Sequence, residues 1–199
     1  MNDLRLSPAD WDEWYRSINP PRIVSDKESF EFYRRARPPR GGRALDLACG
    51  IGQWTRQLIR WGMAVTGADF SPEAIEQARK TMEHSLLDYL LWDISVDSIP
   101  PSLKPGTFDL VTCRQSLAFL DTNRLLVDVG RLLRRDGSFY VLTRVEGAND
   151  DTGESDVADR FHRGLDEERI RHLGDAWRTR MTWTISSQCR AILLRDYDG

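Results

Sequence analysis

Three carboxylates in the first half of the chain close or interrupt short apolar runs: Asp46 within Ala44–Leu47, Asp69 after Met63–Ala68, and Asp93 after Tyr89–Trp92. Two glycines, Gly50 and Gly52, follow the first of them. A carboxylate accepts hydrogen bonds from hydroxyls and amines, and glycine lets a ligand come close to the backbone. Behind the glycines, Trp54, Leu58, Ile59 and Trp61 fall at helical spacing, so a helix N-terminus with free N–H groups should open there. Strand, glycine loop and helix together build a nucleotide site in an α/β sheet.

The spacing narrows the ligand. A dinucleotide loop of the form G-x-G-x-x-G would place a third glycine where Thr55 stands, and a bulkier residue there suits close helix–strand packing less well. No Gly-Lys-Ser/Thr follows, so a P-loop is excluded. Asp46 lies four residues before Gly50, where it would repel a diphosphate and attract a cation. The ammonium and sulfonium groups of S-adenosylmethionine (SAM) have that sign. Asp69, 23 residues after Asp46, stands where a ribose is held through its adjacent hydroxyls.

Asp46-Leu47-Ala48-Cys49-Gly50-Ile51-Gly52 resembles motif I of the class I SAM-dependent methyltransferases in its D-x-x-C-G-x-G form. Ala48 is a mild departure, since that position is often glycine in the family. Further features recur in the family's order. Phe70 follows Asp69 and could pack on adenosine, and Ser71-Pro72-Glu73 reads as N-cap, first helical residue and acidic first turn. The resemblance implies that Asp93 contacts the adenine amine with Ile94 beside the ring. Phe108-Asp109-Leu110-Val111 resembles the family's fourth strand, with Arg114 and Gln115 at its carboxyl end, where ligands sit in open sheets. The implied cofactor site is the loop residues Asp46, Ala48, Cys49, Gly50, Gly52 and Trp54, together with Asp69, Phe70, Asp93, Ile94 and Arg114. SAM would be the cofactor and S-adenosylhomocysteine its product.

The resemblance implies an α/β, Rossmann-like, seven-stranded, mostly parallel sheet with an antiparallel edge strand and helices on both faces. One methyltransferase domain is expected over residues 1–199: an N-terminal helical cap to residue 40, a SAM-binding core over 41–145, and a lid loop with the last strands over 146–199. Within the cap, Ser7-Pro8-Ala9-Asp10 starts a short helix carrying Trp11, Trp14 and Tyr15, broken at Pro20-Pro21, and a second helix runs from about Ser25 to Ala36. Trp11, Trp14 and Tyr15 are candidates to wall a substrate pocket. A helix with Leu125, Leu126, Val129, Leu132 and Leu133 should stop at Gly137, before a fifth strand over Phe139–Leu142. Acidic residues 146–159 read as a loop, residues 166–176 as a helix, and about 180–186 and 190–195 as the final strands.

Composition excludes other classes. With 40% hydrophobic and 30% charged residues, the chain suits a soluble domain with a sizeable core. A net charge of −3 leaves no overall polycation for nucleic acid, and no apolar run approaches the ~20 residues that span a bilayer. No signal-peptide core opens the chain, and Cys49, Cys113 and Cys189 lack metal-ligand spacing, which together suit a reduced, cytoplasmic setting without a metal. A small molecule is therefore the expected partner, with neither nucleic acid nor membrane. The sequence sets no oligomeric state.

Methyl transfer from a sulfonium is an in-line displacement that needs alignment and exclusion of water more than a strong acid or base. A clear cofactor site without a clear catalytic set fits that chemistry. His162 is a candidate general base, and Arg144, just past the fifth strand, a candidate for an acidic substrate group. Cys113-Arg114-Gln115-Ser116 stands where base-amine methyltransferases carry Asn/Asp-Pro-Pro-aromatic, so nucleic-acid bases are disfavoured as acceptors. Oxygen or nitrogen of a small molecule leads, with a SAM-binding protein without turnover and a nicotinamide-dependent oxidoreductase as alternatives.

Overall fold

A computed structural model describes residues 6–17, 24–147 and 160–198. The proline break at residues 20–21 and most of the acidic loop after residue 147 lie outside them. The chain divides into two compact units, Met1–Leu103 and Lys104–Gly199.

In the first unit, α1 (Pro8–Arg16) is opened by a reciprocal Ser7–Asp10 capping box, and α2 (Asp26–Ala36) by Ser25. β1 (Arg43–Leu47), α3 (Gln53–Arg60), β2 (Ala64–Asp69), α4 (Pro72–Thr81) and β3 (Leu87–Leu91) follow. β1 and β3 both pair with β2 in parallel, and the register aligns Asp46 with Gly67 and Gly67 with Tyr89. Residues level with one another share a face of the sheet, so these three stand in one row. Gly67 is required there: a Cβ on it would lie 2.8 Å from the Tyr89 ring and 3.0 Å from Cys49 Sγ.

α1 buries none of its own residues, whereas α2 buries Glu28, Phe32 and Ala36, spaced for one helix face. Phe32 packs edge-on against Trp54 of α3 and stacks on Trp61 at 5.3 Å between ring centroids. The aromatic run of α2 thus splits: Phe32 is core, while Phe30 and Tyr33 are exposed.

The second unit holds β4 (Phe108–Arg114), a 3₁₀ turn (Leu117–Phe119), α5 (Thr122–Leu132), β5 (Leu133–Arg144), α6 (Glu167–His172), β6 (Trp177–Ser186) and β7 (Cys189–Tyr197). β4 pairs with β5 in parallel, and β7 runs antiparallel to both β5 and β6. The seven strands are ordered β3-β2-β1-β4-β5-β7-β6, a mostly parallel sheet whose reversed strand, β7, lies one place in from the end.

Two element boundaries differ from the sequence reading. α5 does not run to a glycine stop at Gly137. It ends at Leu132, and β5 begins at once, pairing Leu133 with Phe108 and then resuming at Ser138 with Leu110. Gly137 serves this irregularity through close packing, with Phe108 and Arg134 carbonyl oxygens 3.0 Å from where its Cβ would stand. The helix expected over residues 166–176 is shorter, ending at His172, because Gly174 turns left-handed at φ +84° and sends the chain into β6. Among the described residues, no helix is long and apolar enough to cross a membrane.

Candidate cofactor site

The glycine loop leaves β1 through three residues of positive φ: Ala48 (50°), Gly50 (53°) and Gly52 (75°). This explains why glycine is common at the position of Ala48, whose Cβ is strained in that region. Gly52 is the N-cap of α3 and brings no side-chain cap, so the first N–H groups of that helix have no side-chain acceptor from it. The loop is pinned to β2 by Cys49 N–H donating to Ala68 O at 3.0 Å, and closed by Gly52 N–H donating to Cys49 O at 3.0 Å. Arg56 Nη1 ties the outer bend by donating to Ile51 O at 2.6 Å.

Both glycines of the loop are required by close approach as well as by φ. A Cβ on Gly50 would lie 2.8 Å from the Tyr15 hydroxyl, and one on Gly52 would meet the Tyr89 hydroxyl at van der Waals overlap. Tyr89 is buried, and that burial pushes its phenol up to about 12, so it stays neutral. Desolvation likewise holds the half-buried Cys49 thiol well above its ordinary value, with Asp69 and Asp46 adding to the effect, which favours the neutral thiol.

Asp46 is buried, and its Oδ2 accepts the Thr55 hydroxyl at 2.7 Å. Thr55, at the place of a dinucleotide loop's third glycine, is thus a donor that joins α3 to the acid of β1. Asp69 is also buried. Its Oδ2 accepts Gly50 N–H at 2.8 Å and its Oδ1 accepts Ser71 N–H at 3.0 Å. Burial raises Asp69 to about 6, against the opposing hydrogen bonds from the Ser71, Gly50 and Phe70 backbone. The carboxylate of β2 therefore sits inside the glycine loop and occupies the N–H that a phosphate would need.

Trp92 N–H donates to Asp69 O at 2.9 Å, bringing Asp93 beside the end of β2. Asp93 Oδ1 accepts Ser95 N–H at 2.9 Å; Asp93, Ile94 and Phe70 are half-buried. Asp46, Ala48, Cys49, Gly50, Gly52, Asp69, Phe70, Asp93 and Ile94 thus lie on β1, β2 and the loops that follow β1, β2 and β3 in the first unit. Trp54 lies in the first turn of α3, beside them. Its side chain is only 2% exposed and packs edge-on against Phe32 and Trp61, so it belongs to the core. Trp11, Trp14 and Tyr15 are half-buried on α1, with Trp11 and Tyr15 rings 6.0 Å apart.

Arg114, Arg144 and His162 lie in the second unit. Arg114 ends β4, with Ser116 Oγ donating to its carbonyl at 3.0 Å. Arg144 ends β5, where Leu165 N–H donates to its carbonyl at 3.0 Å and Gly164 packs against the same oxygen. His162, two residues before Gly164, is half-buried. Sequence reasoning missed Asp12, which accepts the Ser71 hydroxyl. The spacing of Asp12 and Arg16 beside the pair Trp11 and Tyr15, a polar and an aromatic edge on adjoining helix stripes, was its available signal.

Residues 45–141 match the family described as a methyltransferase domain. The mitochondrial ubiquinone biosynthesis O-methyltransferase of Schizosaccharomyces pombe is 32% identical over 127 residues, covering 62% of this chain and 45% of its own length. The chain spans about half the length of the curated relatives it matches. Among solved structures, a SAM-dependent methyltransferase from Aquifex aeolicus superposes with a TM-score of 0.71 at 15% identity, over 95% of this chain and 98% of that one. A phosphoethanolamine N-methyltransferase from Haemonchus contortus, solved with S-adenosylhomocysteine, gives 0.67 at 20% identity, over 89% of this chain and 43% of its own. Motif I on this sheet order, with a methyltransferase-domain match running through it, makes the chain similar to the class I SAM-dependent methyltransferases.

Proposed function

We propose that this chain binds SAM in the first unit and transfers its methyl group to an oxygen of a small-molecule acceptor. The observation that carries the reading is the Asp69–Gly50 bond: a carboxylate occupies the loop N–H, and a second buried acid, Asp46, lies just behind. An anionic loop of this kind suits a cationic sulfonium and opposes a diphosphate. Asp69 would take the ribose hydroxyls, Asp93 the adenine amine, and Phe70 and Ile94 the faces of the adenosine. The loop from Ala48 to Gly52, through its backbone, would hold the methionyl end.

SAM supplies an activated methyl carbon on a sulfonium leaving group. The chain's own contribution is alignment and exclusion of water, with Trp11, Trp14 and Tyr15 as candidate pocket walls. A hydroxyl acceptor must also lose its proton, and His162 is the candidate base, with Arg144 as an anchor for an anionic acceptor. The oxygen assignment draws on the O-methyltransferases among the relatives, whose acceptors belong to ubiquinone biosynthesis.

Calorimetric titration with S-adenosylhomocysteine, and with NAD in parallel, tests the cofactor. Micromolar binding of the first alone is expected; binding of NAD alone would overturn the reading. S-adenosylhomocysteine formation from SAM with a panel of small hydroxyl and amine acceptors then tests the oxygen assignment. Turnover confined to amines would reject it.

A further inference from the structure

Asp12 has no part in the reading above, yet its carboxylate joins two helices. Three half-buried aromatics, Trp11, Trp14 and Tyr15, lie on α1, and side-chain hydrogen bonds tie the helix to α4. Asp12 Oδ1 accepts both the Ser71 hydroxyl and, at 3.2 Å, the Glu73 N–H. Arg16 Nε donates to Glu73 Oε2 at 3.0 Å, and Gln77 Nε2 donates to the Tyr15 carbonyl at 2.9 Å. Asp12 thus adds a second cap to the N-terminus of α4, from another helix, beside the Ser71 oxygen that accepts Ala74 N–H at 3.1 Å.

Ser71 faces the cofactor carboxylate as well. Its N–H donates to Asp69 Oδ1 at 3.0 Å, while Asp69 Oδ2 accepts Gly50 N–H at 2.8 Å. A continuous hydrogen-bonded chain therefore runs from Gly50 through Asp69 and Ser71 to Asp12. It closes on itself, because Tyr15 lies one turn beyond Asp12 and sets its hydroxyl 2.8 Å from the Cβ position of Gly50.

We propose that Asp12 is a positioning residue of the cofactor site: through Ser71 it locks α1 onto the element that follows Asp69, keeps Tyr15 over Gly50, and couples docking of α1 to occupancy by SAM. The proposal rests on the reading of the glycine loop as a SAM site. A ligand that orders Asp69 and its Ser71 bond favours the docked helix, and by linkage the docked helix favours the ligand by the same factor.

The test uses S-adenosylhomocysteine with wild type, Asp12→Ala and Asp12→Asn, reading affinity, dissociation rate and amide hydrogen exchange. In wild type the ligand should slow exchange in α1 as well as in the glycine loop. Asp12→Ala should weaken binding about tenfold, mainly through faster dissociation, and α1 should lose its ligand-dependent protection while the loop keeps it. Asp12→Asn retains an oxygen that accepts from Ser71 and Glu73, and should stay within about threefold of wild type. Wild-type α1 exchange unmoved by ligand, or an Asp12→Ala protein that binds and releases as wild type does, would overturn the proposal. The wild-type exchange arm needs no variant, so it decides even if Asp12→Ala does not fold. No binding to wild type would instead remove the cofactor reading itself, and this proposal with it.

Discussion

At Ala48 and Asp69 the chain holds conformations or charges that cost stability, and both positions lie in the glycine loop or touch it. Ala48 keeps a φ of 50°, where a Cβ costs roughly 1 kcal/mol. Ala48→Gly should therefore raise the stability of the ligand-free protein by about 1 kcal/mol, or some 2–4 °C in melting temperature. An unchanged or lower melting temperature would mean that the methyl group packs well enough to offset the strain. Asp69 sets stability against binding. Its folded value of about 6 lies above the 3.8 of an unperturbed aspartate, so the native state binds this proton more tightly than the unfolded chain does. The stabilising contribution of the protonated group is complete below pH 3.8 and is lost as pH rises through 6. Ribose recognition runs the other way, since the ionised carboxylate is the better acceptor. Affinity for S-adenosylhomocysteine should be flat above about pH 7 and fall by up to about tenfold per unit below 6. A flat titration from pH 8 to 5 would take Asp69 out of the ribose role.

Between elements, the Asp46–Thr55 hydrogen bond ties β1 to α3 in a fully buried setting. Thr55→Val keeps the shape and removes the donor, so it should cost about 1–3 kcal/mol in chemical denaturation, with little change in the slope of the transition. A midpoint equal to wild type would show that Asp46 does not depend on it. This residue also marks the limit of what the sequence disclosed. Thr55 was legible as an obstacle to a dinucleotide loop, but its positive role needs the distance between a strand side chain and the helix behind it. Ser71 was legible as an N-cap because capping is local; its bond to Asp12, 59 residues earlier, was not. For Trp54 the sequence did not show that its ring packs against Phe32 and Trp61 while its backbone opens the helix behind the loop. The direct run from α5 into β5 was hidden because Arg134–Ser138 carries the polar and glycine residues of a turn.

For the molecule as a whole, apolar runs and their punctuation located the strands one by one, while their arrangement in one seven-stranded mixed sheet was foreseen from the resemblance to the class I methyltransferases. The likeness of fold extends over nearly all of this chain in the Aquifex aeolicus structure, while the stretch matched in the curated relatives is about half of their length. The acceptor is the part least fixed by fold, since methyl transfer asks for no diagnostic nucleophile and one architecture serves many substrates.

The last strand of the sheet has a consequence for handling the protein. β6 offers ten residues of edge, and most of its side chains are exposed, Arg178, Arg180 and Met181 among them. Strand edges recruit one another into aggregates unless charged side chains intervene, and here both edge guanidiniums are held in place, Arg178 by Asp198 and Arg180 by the Leu173 and Ile170 carbonyls. Salt loosens the exposed Arg178–Asp198 pair: at about 1 M the Debye length shrinks to roughly 3 Å. Concentrated stocks should therefore keep better in dilute buffer than in strong brine, the opposite of the usual resort for a precipitating enzyme.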